Sequence, residues 1–237
     1  MQNVAIIGTT GSIGKAFLEY YVSDNTTDKV YSISRSKNNV EDKKIVNLDL
    51  NLTNKNDYAK LSSFIPKNSL DKVIIASGIL HDDDLKPEKT ISSLDLDNFQ
   101  KIFSVNAFAP ALLLKVFFPL IRRNENALIG ILSARVGSIS DNRIGGWYAY
   151  RASKAALNMI IKTAAIELAR KDKTAKLIGL HPGTVDTNLS KPFQGGTPKG
   201  KIFTPSQSIN YLTKVIDSTT PQDTGKIFDW EGKEITA

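Results

Sequence analysis

Short runs of β-branched and aliphatic residues alternate along this chain with longer stretches in which apolar positions recur every three to four residues. The short runs fall at 4–7, 29–34, 44–48, 72–76, 127–132, 176–180 and 226–230. Continuous apolar runs of this length, bounded by Gly, Asp or Pro, predict strands buried on both faces, as in a parallel sheet. Residues 15–22, 57–65 and 205–216 carry the spacing of surface helices, and Pro66 closes the second of them. Residues 97–123 and 150–170 are apolar on more than one face and predict buried helices lying between the sheet and a further layer. Strands alternating with helices from end to end, without linker or repeat, predict one α/β domain over 1–237 with a doubly wound parallel sheet of about seven strands. Ligands of such a sheet sit outside the carboxyl ends of its strands.

Composition narrows the chemistry. A hydrophobic fraction of 41% and a charged fraction of 23% are those of an ordinary globular domain. The net charge of +7 comes from lysines spread along the chain, with no basic run longer than two residues, so no nucleic-acid partner is expected. A mildly basic surface suits a small polyanion. There is no cysteine, and only His81 and His181 could supply imidazole, so no metal site is expected. The amino terminus has no signal-peptide pattern, and the most apolar stretch, 107–121, is interrupted by Pro110, Lys115 and Pro119. These features predict a cytoplasmic protein with no membrane partner.

The first strand runs into Gly8-Thr9-Thr10-Gly11-Ser12-Ile13-Gly14 and then a helix. Strand, glycine loop and helix together form a phosphate cradle, because glycines let the backbone approach a pyrophosphate and free amides at the helix start attract its charge. This pattern predicts the opening of a Rossmann fold. The second strand ends at Arg35-Ser36-Lys37, where an acid would hold a ribose 2′-hydroxyl; a cation there predicts a 2′-phosphate, hence NADP(H). Asp49 and Leu50 at the third strand's end are placed to meet the adenine, and Ser77-Gly78 ends the fourth. The run Asp82-Asp83-Asp84 predicts a solvated loop. Inside the 97–123 helix, Pro110 deprives the Asn106 carbonyl of its helical partner and predicts a kink that leaves this oxygen able to hold a water.

Tyr150 and Lys154, at i and i+4 on the second buried helix, share a face. A cation beside a phenol favours the phenolate and draws its pKa toward the working range, making proton transfer to a carbonyl oxygen feasible. Residues 188–204, with three glycines and no periodicity, predict a mobile lid over a small-molecule substrate. The two apolar helices, at about 97–123 and 148–170, predict a homodimer or homotetramer.

In order and spacing these residues resemble the short-chain dehydrogenase/reductase family, in its single-domain branch, over essentially the whole chain. The Gly137 to Gly146 loop and the ending Phe228-Asp229-Trp230-Glu231-Gly232-Lys233 look most like the C-factor-like carbonyl reductases. The resemblance implies an NADP(H)-dependent reduction of a ketone or aldehyde, with Tyr150 as general acid. Lys154 would tune it and bond the nicotinamide ribose, and Asn106 would hold a relay water. Pro182, Gly183, Val185 and Thr187 would seat the nicotinamide. Three positions depart from the family pattern. Ser12 replaces a glycine, Ile75-Ala76-Ser77-Gly78 keeps only the last residue of Asn-Asn-Ala-Gly, and the substrate-orienting serine position is Ala134. Ser133 is expected to take over that serine's role, with Ser138 as the alternative. The displaced serine also suits a dinucleotide-binding sensor or signalling protein with little turnover.

Overall fold

The computed structural model describes residues 1–196, 198 and 200–236. Strands β1 (Gln2–Ile7), β2 (Thr27–Ser34), β3 (Ile45–Asp49), β4 (Lys72–Ile75), β5 (Leu128–Leu132) and β6 (Lys176–His181) alternate with helices α1 (Ser12–Ser23), α2 (Lys55–Phe64), α3 (Leu96–Phe103), α4 (Ala109–Phe117) and α5 (Tyr148–Lys171). Two short strands follow, β7 (Thr184–Val185) and β8 (Ile202–Phe203), then α6 (Pro205–Ser218) and β9 (Ile227–Asp229). The main sheet has seven strands in the order β3-β2-β1-β4-β5-β6-β9, every neighbouring pair parallel. The order reverses between β1 and β4, which opens a crevice at their carboxyl ends.

Two-residue alternation along the strands divides the core. Ala5 and Ile7 of β1 face one side, with Tyr58 and Leu61 of α2, Leu113 and Phe117 of α4, and Leu157 and Ile161 of α5. Val4 and Ile6 face the other, with Phe17, Leu18 and Tyr21 of α1 and Leu212 and Ile216 of α6. Each fully buried aliphatic side chain contributes about 1.5–3 kcal/mol, so both layers hold the sheet. Gly179 lets the Ile227 side chain of β9 close over β6, since a Cβ there would lie 2.4 Å from the Ile227 Cδ1 methyl, which would have to move.

The 97–123 segment differs from the single kinked helix expected from sequence. Between α3 and α4, Ser104–Phe108 form a π-helical turn, and the helix ends at Phe117. One extra residue in the turn ahead of Pro110 resolves the clash that proline would otherwise impose. The lid expected at 188–204 includes Thr197 and Lys199, which lie outside the described residues. Its described part holds a 3₁₀ turn at Lys191–Gly196, and β8 pairs with β7 to tie the segment down. Among the described residues no helix is long and apolar enough to cross a membrane.

Candidate active site

The glycine loop closes on itself as its spacing predicts. Gly8 has φ +91, and a Cβ on Gly14 would stand 2.2 Å from the Gly8 carbonyl oxygen, so the first turn of α1 packs onto the loop only because residue 14 has no side chain. Ser12, Ile13 and Gly14 are that first turn. Its N-cap Gly11 supplies no side-chain acceptor, whereas Asn54, Asp95 and Thr204 cap α2, α3 and α6. The amides opening α1 are left for an anion.

A cleft of about 690 Å³ runs from this loop across the strand ends, lined by Gly8, Thr10, Arg35, Leu50, Ser77, Gly78, His81 and Asp82 among others. Arg35 is exposed at one end. A buried polar network braces its turn: Thr9 Oγ1 and Ser32 Oγ lie 2.8 Å apart, Asn38 Nδ2 donates to Ser32 Oγ at 2.7 Å, and Ser34 Oγ donates to the Ser36 carbonyl at 2.6 Å. The guanidinium therefore stands on a stiff support. Asp49 is exposed at the end of β3, and Leu50, Asn51, Leu52 and Thr53 form the cleft wall beside it. Asp82, Asp83 and Asp84 lie in an exposed loop as the run predicts, and Asp82 there also pairs with Lys101 at 2.5 Å and accepts from the Leu85 N–H at 2.9 Å. Ser77 Oγ is buried without a partner in the protein, an orphan inside the cleft.

At Gly78 the cleft meets the polar centre. A Cβ there would lie 3.6 Å from Asn106 Oδ1 and 3.7 Å from Lys154 Nζ. Asn106, fully buried, spends its amide on the backbone: Oδ1 accepts from the Ile79 N–H and Nδ2 donates to the Ile79 carbonyl, both at 2.8 Å. Its own carbonyl sits in the π-helical turn. Lys154 Nζ donates to the Leu132 carbonyl at 2.9 Å and lies 5.9 Å from the centre of the Tyr150 ring. Gly137 makes this approach possible, because a Cβ there would be 2.8 Å from the Lys154 backbone.

Burial, rather than the neighbouring cation, sets the titration of this pair. Tyr150 is 8% exposed and Lys154 3%. Loss of solvent pushes the phenol up to about 12 and the ammonium down to about 8. In this buried setting the phenol moves upward, opposite to the pull a neighbouring cation alone would exert, which keeps it neutral as a proton donor.

Ser133 is not brought to Tyr150. Its hydroxyl donates to Asn158 Oδ1 at 2.5 Å, two turns further along α5 from Tyr150, while Ala134 packs against Tyr150 and Leu80. The extended backbone at the end of β5 turns successive side chains to opposite sides, so the two residues cannot exchange roles. Ser138 donates to the Thr236 carbonyl at 2.5 Å and serves the last turn of the chain. The position facing Tyr150 thus carries a methyl group.

The strand β6 delivers His181-Pro182-Gly183 to the same edge. Gly183, at φ +76, leaves room for Phe203 and Trp230, whose rings a Cβ would approach to 2.7 and 2.9 Å. Val185 is buried, its carbonyl accepting from the Ser190 hydroxyl, and Thr187 also bonds Ser190. His181 Nδ1 is buried without a partner, and burial with Arg135 nearby lowers the imidazole pKa to about 4.

Sequence reasoning missed Trp147 and Glu88. Trp147 opens α5 in left-handed backbone (φ 54, ψ 45), which costs a bulky residue about 1–2 kcal/mol. Two preceding glycines mark a tight turn in the sequence, but not that a tryptophan would share their conformation.

A family model described as short chain dehydrogenase matches residues 2–196. A 1-hydroxy-2-glutathionyl-2-methyl-3-butene dehydrogenase from a Rhodococcus species is 37% identical over 163 residues, 69% of this chain and 66% of that protein's length. The protein called C-signal of Myxococcus xanthus is 31% identical over 145 residues, 61% of this chain and 82% of its own. In structure, a carbonyl reductase from chicken fatty liver, solved with NADPH bound, superposes with a TM-score of 0.86 at 24% identity, covering 100% of this chain and 94% of that one. The carbonyl reductase Sniffer of D. melanogaster gives 0.85 at 20% identity with both chains fully covered. A match over this much of the sequence, together with the seven-stranded sheet, places the chain in the short-chain dehydrogenase family.

Proposed function

We propose that this protein is an NADP(H)-dependent reductase of ketones or aldehydes. The observation that carries the reading is the buried Tyr150–Lys154 pair, whose ammonium lies 3.7 Å from where a Cβ of Gly78 would stand, Gly78 being in the wall of the cleft that begins in the glycine loop. The residues present fit the cofactor. The cradle that Gly14 keeps open and the uncapped start of α1, with Ser12 and Ile13, accept its pyrophosphate. Arg35, with Ser36 beside it, takes the 2′-phosphate, and Leu50 offers the adenine an apolar wall. Ser77 Oγ, Lys154 and the Pro182–Gly183 turn, with Val185 and Thr187, receive the nicotinamide half. When bound, the reduced nicotinamide supplies the hydride.

The chain's own groups handle the proton. Tyr150 donates to the carbonyl oxygen as its π bond breaks, and Lys154 stands within reach to favour the phenolate that results. The Asn106 carbonyl holds a water through which Tyr150 and Lys154 are reprotonated from solvent. Segment 188–204 covers the substrate. The apolar α4 and α5 surfaces, where Leu112 is 43% exposed and Met159 66%, join two copies of the chain.

Ala134 supports a second reading, a dinucleotide-binding sensor with little turnover, since one missing donor to an oxyanion typically costs about a hundred- to a thousandfold in rate. Titration with NADPH and NADH by intrinsic fluorescence, then a panel of ketones and aldehydes followed at the reduced-nicotinamide absorbance, separates the two. Tight NADPH binding with turnover is expected. Binding without turnover across the panel would establish the sensor, and no binding would remove both.

A further inference from the structure

The least relaxed backbone near the site carries its largest ring. Gly145, Gly146 and Trp147 follow one another at φ 69, 66 and 54, and the third is a tryptophan, where left-handed backbone is a genuine outlier. Glu88, 3% exposed, enforces it. Its carbonyl accepts the Trp147 N–H at 2.5 Å, and its carboxylate accepts the Ala149 N–H at 3.2 Å. The indole is thereby set edge-on to Tyr150, with ring centres 6.2 Å apart and planes at 75°. Phe193 meets the indole at 4.9 Å and 64°.

A ring held only to fill a core would be enclosed and would not need a strained turn to place it. Trp147 and Phe193 are both only half-buried, and they stand in one apolar cluster with Ala134 and Tyr150. Where a serine would offer the substrate oxygen a hydrogen bond, Ala134 offers a methyl group. Orientation must then come from contact with the rest of the substrate, and partly exposed aromatic rings favour flat, apolar groups.

We propose that Trp147, with Phe193, is the specificity-determining surface of this site and selects flat aryl ketones and aldehydes over saturated ones, Glu88 being the residue that positions it. This rests on the reductase reading. The probes are 2,2,2-trifluoroacetophenone and cyclohexyl trifluoromethyl ketone, which carry the same activated carbonyl on a flat and a puckered ring.

With NADPH saturating, Trp147→Ala is expected to lower kcat/KM for the aryl ketone about tenfold, the upper range for an aromatic pair, and to move the cyclohexyl ketone less than about twofold. Trp147→Phe restores most of the difference, which a purely structural role would not do. Phe193→Ala, in the 188–204 segment, repeats the test should Trp147→Ala fail to fold. Equal losses on both ketones, or an unchanged ratio in the folded variants, overturn the assignment. Absence of NADPH binding, or of turnover of either ketone by the unmodified protein, overturns the reductase reading instead, and is read without any variant.

Discussion

Asn106 grips Ile79 by both of its backbone polar groups, accepting from its N–H and donating to its carbonyl at 2.8 Å each. A buried side-chain amide here does what a neighbouring strand would do, and it fixes the Gly78–Ile79 turn beside Lys154. Asn106→Ala leaves two buried backbone groups unpaired. A loss of about 1–3 kcal/mol is expected, read as a lower denaturant midpoint at constant slope. Asn106→Asp, which sets a buried carboxylate oxygen against the Ile79 carbonyl, should cost at least as much.

Tyr150→Phe removes the proton donor and keeps the ring. Carbonyl reduction should fall by about a hundred- to ten-thousandfold while NADPH affinity stays within about threefold. A variant that turned over like the unmodified protein would exclude Tyr150 as the acid.

Ala134→Ser restores a hydroxyl beside the phenol. An increase in kcat of about tenfold or more is expected, because a donor aimed at developing charge acts mainly in the transition state. Ser133→Ala, by contrast, should leave turnover within about twofold and lower stability by about 1 kcal/mol through the lost bond to Asn158.

Arg35→Ala should weaken NADPH at least tenfold and NADH little, measured by the same fluorescence titration, since only NADPH carries the phosphate that a guanidinium would bind. Equal losses for both would show that Arg35 does not read that group.

His181 gives a pH dependence of stability. Its imidazole titrates near 6.5 in the unfolded chain and about 4 in the folded one, so between these values the unfolded chain binds the extra proton. Stability should therefore fall as pH drops from 6.5 toward 4, by about 3 kcal/mol at the lower end. His181→Gln, compared at pH 7 and pH 4.5 by denaturant unfolding, should lose most of that slope. A slope unchanged from the unmodified protein would assign it to other groups.

The sequence made legible whatever depends on local pattern. β-branched runs marked all seven strands of the main sheet, the glycine spacing marked the loop against α1, and an i,i+4 pair marked Tyr150 and Lys154. What it hid depends on which way a side chain turns once packed. Ser133 and Ala134 are adjacent, and only the direction of the backbone at the end of β5 decides that the hydroxyl goes to Asn158 and the methyl group to Tyr150. Pro110 signalled a disturbance in its helix, but a kink and a π-helical turn relieve the same clash. Glu88 reaches Ala149 across 61 positions, a distance over which no periodicity carries information.

The place of β9 has a consequence for how the chain reaches this state. β9 lies at the sheet's edge beside β6, and its Asp229 holds Arg135 at 2.7 Å, next to the loop that leads into the site. A parallel partner cannot be reached by a hairpin, so β6 waits for the whole of β7, β8 and α6 to be synthesised before its outer row of amides and carbonyls is covered. During that interval a hydrophobic strand edge is open to any other nascent chain. The pairing of β9 with Gly179–His181 thus replaces a longer open edge by one of three residues, and slow synthesis through α6 would lower the yield without altering native stability.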